Sequence, residues 1–379
     1  MRVLHIIIGL NVGGAEMMLK RLVESHAGNP AYRHAVVSLT NMGKLGEQLQ
    51  SNGVEVYLLG MRSAFGIPLV LWRLVRLIRV SRPDIVQTWM YHADFLGGLA
   101  ARLTGNRRVI WGIRTTDIGA GDSTTTVLVR WLCARLSRWV PQVIVCAADA
   151  SRQSHIAVGY DATKMVVVPN GYDFSWLNAS SEERQSLREQ CGINQGEVVL
   201  GSLGRFHANK GQENFVRIAG LLAQQYSQLR FLMVGRGLDW DNTQLVDWID
   251  RTGCKDRFVL LGERKDVPQC LAAMDIFCLH SRTEGFPNVL AEAMAMGLPC
   301  ITTDVGDAAM LLADTGVVVQ KEDSAALAHG VESLLALDQG ARHTLGMRAK
   351  ARVEAEFSMV HARERFEKIY RQVLNKGAF

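Results

Sequence analysis

Two glutamates, Glu284 and Glu292, flank a short loop whose residues suit an anion and hydroxyl groups together. Residues 275–279 form an apolar run that reads as a buried strand, and E-G-F-P-N at 284–288 makes a tight polar turn. Residues 289–296 are helix formers throughout, and Gly297 followed by Pro299 ends the helix. A second buried strand is expected at 300–303. The spacing therefore predicts strand, loop, helix, strand, with Asn288 or a neighbour as the cap. The backbone of Phe286, Pro287, Asn288 and Val289 meets the ligand there, because a helix N-terminus is a ready anion site. A carboxylate beside an anion is repelled by it, so the glutamates suit neutral hydroxyls, which donate well to carboxylates. An anion flanked by hydroxyl-bearing rings describes a nucleotide sugar: ribose, diphosphate, hexose.

Other residues join this pair. In G-R-F-H-A-N-K-G, residues 204–211, Arg205 and Lys210 stand in one loop after a strand and can converge on a diphosphate. There they would stabilise charge building on a leaving group; the plainer alternative is two solvated cations. Gly13-Gly14-Ala15-Glu16 follows the first strand, where glycines let a backbone approach a ligand and the helix points its positive end at it. A tight strand-to-helix turn would read the same way. Asp239-Trp240-Asp241 has a spacing that can hold a divalent metal, but it stands where a helix opens. Capping by the aspartates is the expected role, and no metal or other cofactor is expected.

E-x7-E with G-F-P inside it and E-A-M-A-M-G-L-P after it, G-R-x4-K-G, and G-G-A-E together resemble the retaining GT-B glycosyltransferases of family four, glycosyl transferases group 1. The resemblance covers nearly the whole chain and is densest from 199 to 316. It implies that Glu284 contacts hexose hydroxyls and Glu292 the ribose diol. Arg205 and Lys210 would neutralise the leaving diphosphate without metal. The loop of Gly13, Gly14 and Glu16 would touch the donor diphosphate and the acceptor, and the Arg264 loop would lie under the nucleobase. Retention in the family is ascribed to front-face attack with the leaving phosphate as base, so no protein nucleophile is expected. Many members carry a histidine after the strand matching residues 108–113. Here W-G-I-R-T-T-D offers Arg114 or Asp117 instead, with Asp117 the candidate for orienting donor and acceptor. His92 in T-W-M-Y-H-A-D-F is a further acceptor-side candidate, against the plainer reading of a structural histidine at a strand end.

T-W-M-Y-H-A-D-F-L-G-G, W-G-I-R-T-T-D and T-D-V-G-D-A-A look like members from bacterial surface-polysaccharide pathways. The resemblance thus implies transfer of a sugar from a nucleotide diphosphate sugar, UDP-sugar favoured over GDP-sugar, to a glycan or polyprenyl-diphosphate-linked acceptor. A nucleotide-sugar 2-epimerase shares the fold but not this pattern. A non-catalytic donor-binding subunit is the rival of another class, and the presence of both Glu284 and Arg205 argues against a decayed site.

The elements that must position these residues follow an alternating strand and helix pattern that restarts once. Parallel sheets covered by helices on both faces are the result. The fold class is α/β, GT-B: two doubly wound Rossmann-like domains facing a central cleft. The expected boundaries are 1–171 for the acceptor side, 172–357 for the nucleotide sugar, and 358–379 for a helix that the resemblance sends back onto the first domain. The 379 residues are 48% hydrophobic and 21% charged, enough for ordinary cores. Seven scattered cysteines without a C-x-x-C pair point to a reducing compartment. The short apolar run at the N-terminus continues into a helix rather than a cleavage site, and the chain reads as cytoplasmic.

Charge is uneven. Residues 1–170 hold 19 Lys and Arg against 10 Asp and Glu, a net +9, and the remainder holds 23 against 27, a net −4. A basic first half suggests an acidic partner there. Nucleic acid is not expected, since no basic run is interleaved with aromatics. On the helix expected at 67–80, Arg73, Arg76 and Arg79 share an arc of roughly 120° with Leu69 and Trp72. That face suits an anionic membrane surface, with the protein peripheral on the inner leaflet. An ordinary solvated face with Trp72 folded into the core is the alternative.

Overall fold

The computed structural model describes residues 1–63, 66–115 and 124–375. The chain forms two compact units, one of Met1–Tyr172 joined by the helix Met359–Asn375, the other of Asp173–Ser358.

The first unit holds β1 (Arg2–Ile7), β2 (Arg33–Ser38), β3 (Glu55–Leu58), β4 (Ile85–Trp89), β5 (Val109–Ile113), β6 (Val143–Cys146) and β7 (Met165–Val167), in the order β3-β2-β1-β4-β5-β6-β7 and parallel throughout. Val, Ile and Trp fill β4, β5 and β6, which are buried along their whole length, as strands covered on both faces require. Side chains alternate across the pleat. Leu4 and Ile6 join the layer containing Leu74 and Trp111, whereas Val3 and Ile7 join the layer containing Trp89.

The C-terminal helix belongs to that second layer. Ala362, Phe366, Ile369, Tyr370 and Val373 are buried in it, and the Tyr370 hydroxyl donates to Gln87 Oε1 at 2.5 Å. Beside it three histidines share one pocket. His5 Nε2 and His34 Nδ1 are hydrogen-bonded at 2.9 Å, the His26 ring lies 4.8 Å from that of His34 at a tilt of 34°, and His26 Nε2 reaches Glu367 at 3.3 Å. Burial is the main cause that lowers all three, His34 to about 3.

The second unit holds β8 (Val198–Leu203), β9 (Leu229–Val234), β10 (Phe258–Leu260), β11 (Ile276–Leu279), β12 (Cys300–Thr303) and β13 (Val317–Val319), in the parallel order β10-β9-β8-β11-β12-β13. Reversal of strand order beside the first strand of each sheet creates the switch point where α/β sheets bind ligands at strand C-terminal ends. Helix Ser181–Gln190 was not anticipated, although S-S-E-E carries its start. Ser180 and Glu183 form a complete capping box. Its Arg184 and Arg188 pair with Asp275 at 2.6 and 3.0 Å, and Asp275 also accepts the Val199 N–H. This ties the helix to the start of β8 and β11.

Two local expectations are corrected. The helix after β4 begins at Tyr91, so His92 lies in its first turn rather than at a strand end. Asn242 caps helix Thr243–Asp250 by accepting the Leu245 N–H, so Asp239 and Asp241 do not cap it. No helix among the described residues is long and apolar enough to cross a membrane.

Candidate active site

In the second unit the motif residues gather at the C-terminal ends of β8 and β11. Lys210 Nζ donates to Glu284 Oε1 at 2.7 Å, and Ser281 Oγ donates to the same oxygen at 2.6 Å. That leaves Oε2 uncommitted. The Glu284 side chain is only 11% exposed, so its charge is balanced by Lys210 rather than by water. The Arg205 guanidinium is exposed and forms no ion pair among the described residues. Its loop is fixed on both sides. The Arg205 carbonyl accepts from Gln212 Nε2 at 2.9 Å, and Phe206 packs on Trp248 with ring centroids 5.6 Å apart.

His280 is the residue that sequence reasoning passed over. It is buried between the two loops and joins them: its Nδ1 bonds the Lys210 carbonyl at 2.7 Å and its Nε2 the Ser202 hydroxyl at 2.6 Å. Burial lowers its pKa to about 4. The neutral ring therefore donates from Nδ1 and accepts at Nε2. Gly211 must be glycine, since it has φ +67° and a Cβ would lie 2.3 Å from the His280 carbonyl oxygen. Gly306 supports the other loop in the same way: φ is +56°, and a Cβ would meet the Gly285 oxygen at 2.2 Å.

Phe286 is buried against Phe357 at 5.6 Å, which anchors the turn. Pro287, not Asn288, is the cap residue of helix Asn288–Ala295 and makes no side-chain cap bond. Asn288 and Val289 open the helix, Glu292 stands one turn further on, and the first turn has no acid. Arg264 is turned toward Asp266, with Nε to Oδ1 at 2.8 Å. Among the described residues no cluster of three or more His, Cys, Asp or Glu could hold a metal.

In the first unit the candidates stand at the C-terminal ends of β1, β4 and β5. Gly13 is the cap residue of helix Gly14–Glu24. The Glu16 carboxylate folds back so closely that a Cβ on Gly13 would lie 2.4 Å from Oε2. Burial raises the Glu16 pKa, opposed by a bond from its own backbone N–H. Before His92, Met90 has φ 71° and ψ 160°, a conformation nearly confined to glycine and a store of strain. His92 is half-buried, and burial lowers its pKa, so the ring is neutral at pH 7.

Arg114 points into the interior. Its guanidinium lies between the Trp89 and Phe366 rings, at 5.2 and 5.6 Å, and donates to the Val168 carbonyl and Asn170 Oδ1. Burial lowers it to about 10. The geometry fits a tie between β5, the end of β7 and the C-terminal helix. Asp117 lies outside the described residues.

Two doubly wound parallel sheets with a C-terminal helix returned to the first define the GT-B class. Over the full length the structure is similar to the Anabaena protein HepE solved in complex with UDP, with a TM-score of 0.85 at 22% identity and coverage of 98% of this chain and 100% of that one. The profile described as Glycosyltransferase Family 4 matches residues 12–176 and that of Glycosyl transferases group 1 matches residues 197–337. The chain belongs to this glycosyltransferase family.

Among curated relatives, a UDP-Gal:alpha-D-GlcNAc-diphosphoundecaprenol alpha-1,3-galactosyltransferase of Escherichia coli is 29% identical over 237 residues, 61% of this chain and 60% of the relative. The capsular polysaccharide biosynthesis glycosyltransferase CapM of Staphylococcus aureus is 24% identical over 315 residues, 81% of each chain.

Proposed function

We propose that this protein is a metal-independent, retaining glycosyltransferase that moves a hexosyl unit from a UDP-sugar to a polyprenyl-diphosphate-linked glycan in surface-polysaccharide synthesis. One observation carries the reading: Glu284 is neutralised by Lys210 at 2.7 Å, and Arg205, in the same loop as Lys210, forms no ion pair among the described residues. A carboxylate so balanced can sit next to a diphosphate, with Oε2 left to accept hexose hydroxyls. Arg205 and the two remaining Lys210 N–H groups take charge from the leaving phosphate, a term worth several kcal/mol when preorganised. Glu292 takes the ribose diol, and the first-turn amides of helix Asn288–Ala295 take phosphate or sugar oxygens.

The acceptor oxygen attacks the anomeric carbon on the face that UDP leaves. The bond electrons depart with UDP, and the acceptor proton passes to the departing phosphate oxygen. The first unit supplies the acceptor side through Glu16 and His92, with Gly13 and Gly14 in the same loop. A neutral imidazole and a carboxyl raised by burial suit hydroxyl groups. The Escherichia coli relative's lipid-linked substrate and the HepE complex with UDP support the choice of acceptor and donor. Work on such an acceptor would place the protein on the inner membrane leaflet.

Thermal unfolding with UDP and GDP tests the donor half. UDP at roughly 100 times its dissociation constant should add about 2.7 kcal/mol. Stabilisation by GDP alone, or by neither nucleotide, would contradict it.

A further inference from the structure

The opposite edge of the first sheet carries no part of the proposed chemistry, yet it concentrates charge. The chain enters β4, β5 and β6 there from the C-terminal ends of helices Ile67–Ser81, Tyr91–Leu103 and Thr124–Leu136. These turns enclose an open basin of about 1330 Å³ lined by Arg79, Arg82, Arg107, Arg108 and Arg138. None of the five is paired with a carboxylate among the described residues. Asp84 also lines the basin, but its Oδ2 already accepts the Arg2 N–H at 2.7 Å; Asp161 stands near Arg138.

Two further cations are committed to the fold. Lys164 donates to the carbonyls of Ser137 and Pro141 at 3.1 and 3.0 Å, and Arg102 donates to that of Trp139. These bonds satisfy carbonyls at a helix end. Arg102 is lowered by burial and then by Arg107, which shows how close the cations stand. Five arginines outnumber the two nearby aspartates and repel one another. An external anion would relieve them.

Large apolar side chains stand among these cations. Val80 is 76%, Leu103 60% and Trp139 63% exposed. The basin continues onto the outer face of helix Ile67–Ser81, where Leu69 is 50% and Trp72 56% exposed, with Arg76 5.7 Å over the Trp72 ring. Trp72 is therefore not folded into the core. Soluble polyanions need no such apolar neighbours. A headgroup layer does, because Trp rings and arginine stems settle at the boundary of headgroup and acyl chain.

We propose that the basin and this helix face form a docking site for anionic phospholipid headgroups. The helix runs from the C-terminal edge of the sheet to the N-terminal edge. A bilayer touching both the Leu69–Trp72 end and the basin leaves the strands along the membrane plane. The acceptor edge of the sheet is then brought down to the headgroups. That orientation rests on the lipid-linked acceptor proposed above; the binding itself does not.

The test is co-sedimentation of the full chain with phosphatidylcholine vesicles, with and without phosphatidylglycerol. Wild type should pellet only with the anionic vesicles, and high salt should release it. Each arginine near the surface contributes about fivefold to partitioning, so the Arg82→Gln, Arg107→Gln, Arg138→Gln variant should bind about a hundredfold more weakly. Its affinity for UDP should match wild type, which reports correct folding independently. The Trp72→Ala, Trp139→Ala variant should also bind less. Wild type that ignores phosphatidylglycerol, or a triple variant that pellets as wild type does, overturns the proposal. Full vesicle binding by the tryptophan variant would mark a site for soluble polyanions and overturn the lipid assignment.

Discussion

Each unit offers a candidate helix start after a sheet strand, but the charges at the two starts differ. In the first, Glu16 lies over the start of helix Gly14–Glu24, with its carboxylate against Gly13. In the second, helix Asn288–Ala295 has no acid in its first turn, and Lys210 and Arg205 stand in the neighbouring loop. An acid at a helix N-terminus competes for the anion site itself, whereas a start without one, with two cations in a neighbouring loop, suits phosphate. On the proposed reading, the first helix start serves hydroxyls and the second a diphosphate.

The largest expected contrast between the units is in acid. His5, His26 and His34 in the first and His280 in the second are all lowered mainly by burial. Each is neutral when folded but takes a proton when unfolded below its ordinary value near 6.5. The stability present above that pH is lost as pH falls toward the folded values, about 3 for His34 and about 4 for His280. His34 and His280 each contribute a loss of about 1.4 kcal/mol per pH unit in that window, and His5 and His26 act in the same direction. With His92 lowered by burial as well, the first unit holds four such groups against one and should open first. Limited proteolysis at pH 5 should cut within residues 1–172 before 173–358; the reverse order would break the comparison.

Next comes the cation that only the second loop has free. Arg205→Ala should lower turnover by about a hundred- to a thousandfold. Glu16→Gln should leave UDP affinity unchanged, since the Glu16 side chain is proposed to meet the acceptor. Calorimetric UDP titration of both variants, with turnover measured alongside, checks the division, and a loss of UDP binding in Glu16→Gln would reassign the Glu16 side chain to the donor.

The two glutamates should separate within the second unit. Glu284→Gln removes a charged partner of the reacting sugar and should reduce turnover while UDP still binds. Glu292→Ala should chiefly weaken UDP itself. Each loss should be about 1–3 kcal/mol. An exchange of the two phenotypes would mean that the roles are reversed.

The smallest effects distinguish the glycines. Gly211→Ala meets both a positive φ and the His280 carbonyl, so it should cost about 1–3 kcal/mol in thermal unfolding. Gly14 has open space around its Cβ position and lies in a helix, so Gly14→Ala should stabilise by up to about 1 kcal/mol. Equal destabilisation by both changes would show that the first loop is as constrained as the second.

Much of this arrangement was legible from local pattern. Strand positions follow from apolar runs, and Lys210, Glu284 and Glu292 stand in loops or helix starts that punctuation residues mark. What escaped reading depends on contacts between distant segments. His280 gains its role only because β8 and β11 are neighbours, which brings Ser202 and Lys210 to its two nitrogens. Arg114 looked like a ligand residue at a strand end, but Trp89 and Phe366 enclose it. The early start of the helix at Tyr91 required Met90 to adopt a conformation that residue type argues against. The basin arginines come from three separate turns, so no run of sequence shows them together. By contrast, the capping box at Ser180 was readable and was missed.

The most direct test of the account is a single reaction. The protein is incubated in EDTA with a UDP-hexose panel and a polyprenyl-diphosphate-linked sugar, and the product linkage is read by NMR. The account predicts UDP release coupled to a new glycosidic bond with the donor's anomeric configuration. Strict dependence on an added divalent metal, an inverted linkage, or a 2-epimer of the donor in place of a glycoside would contradict it.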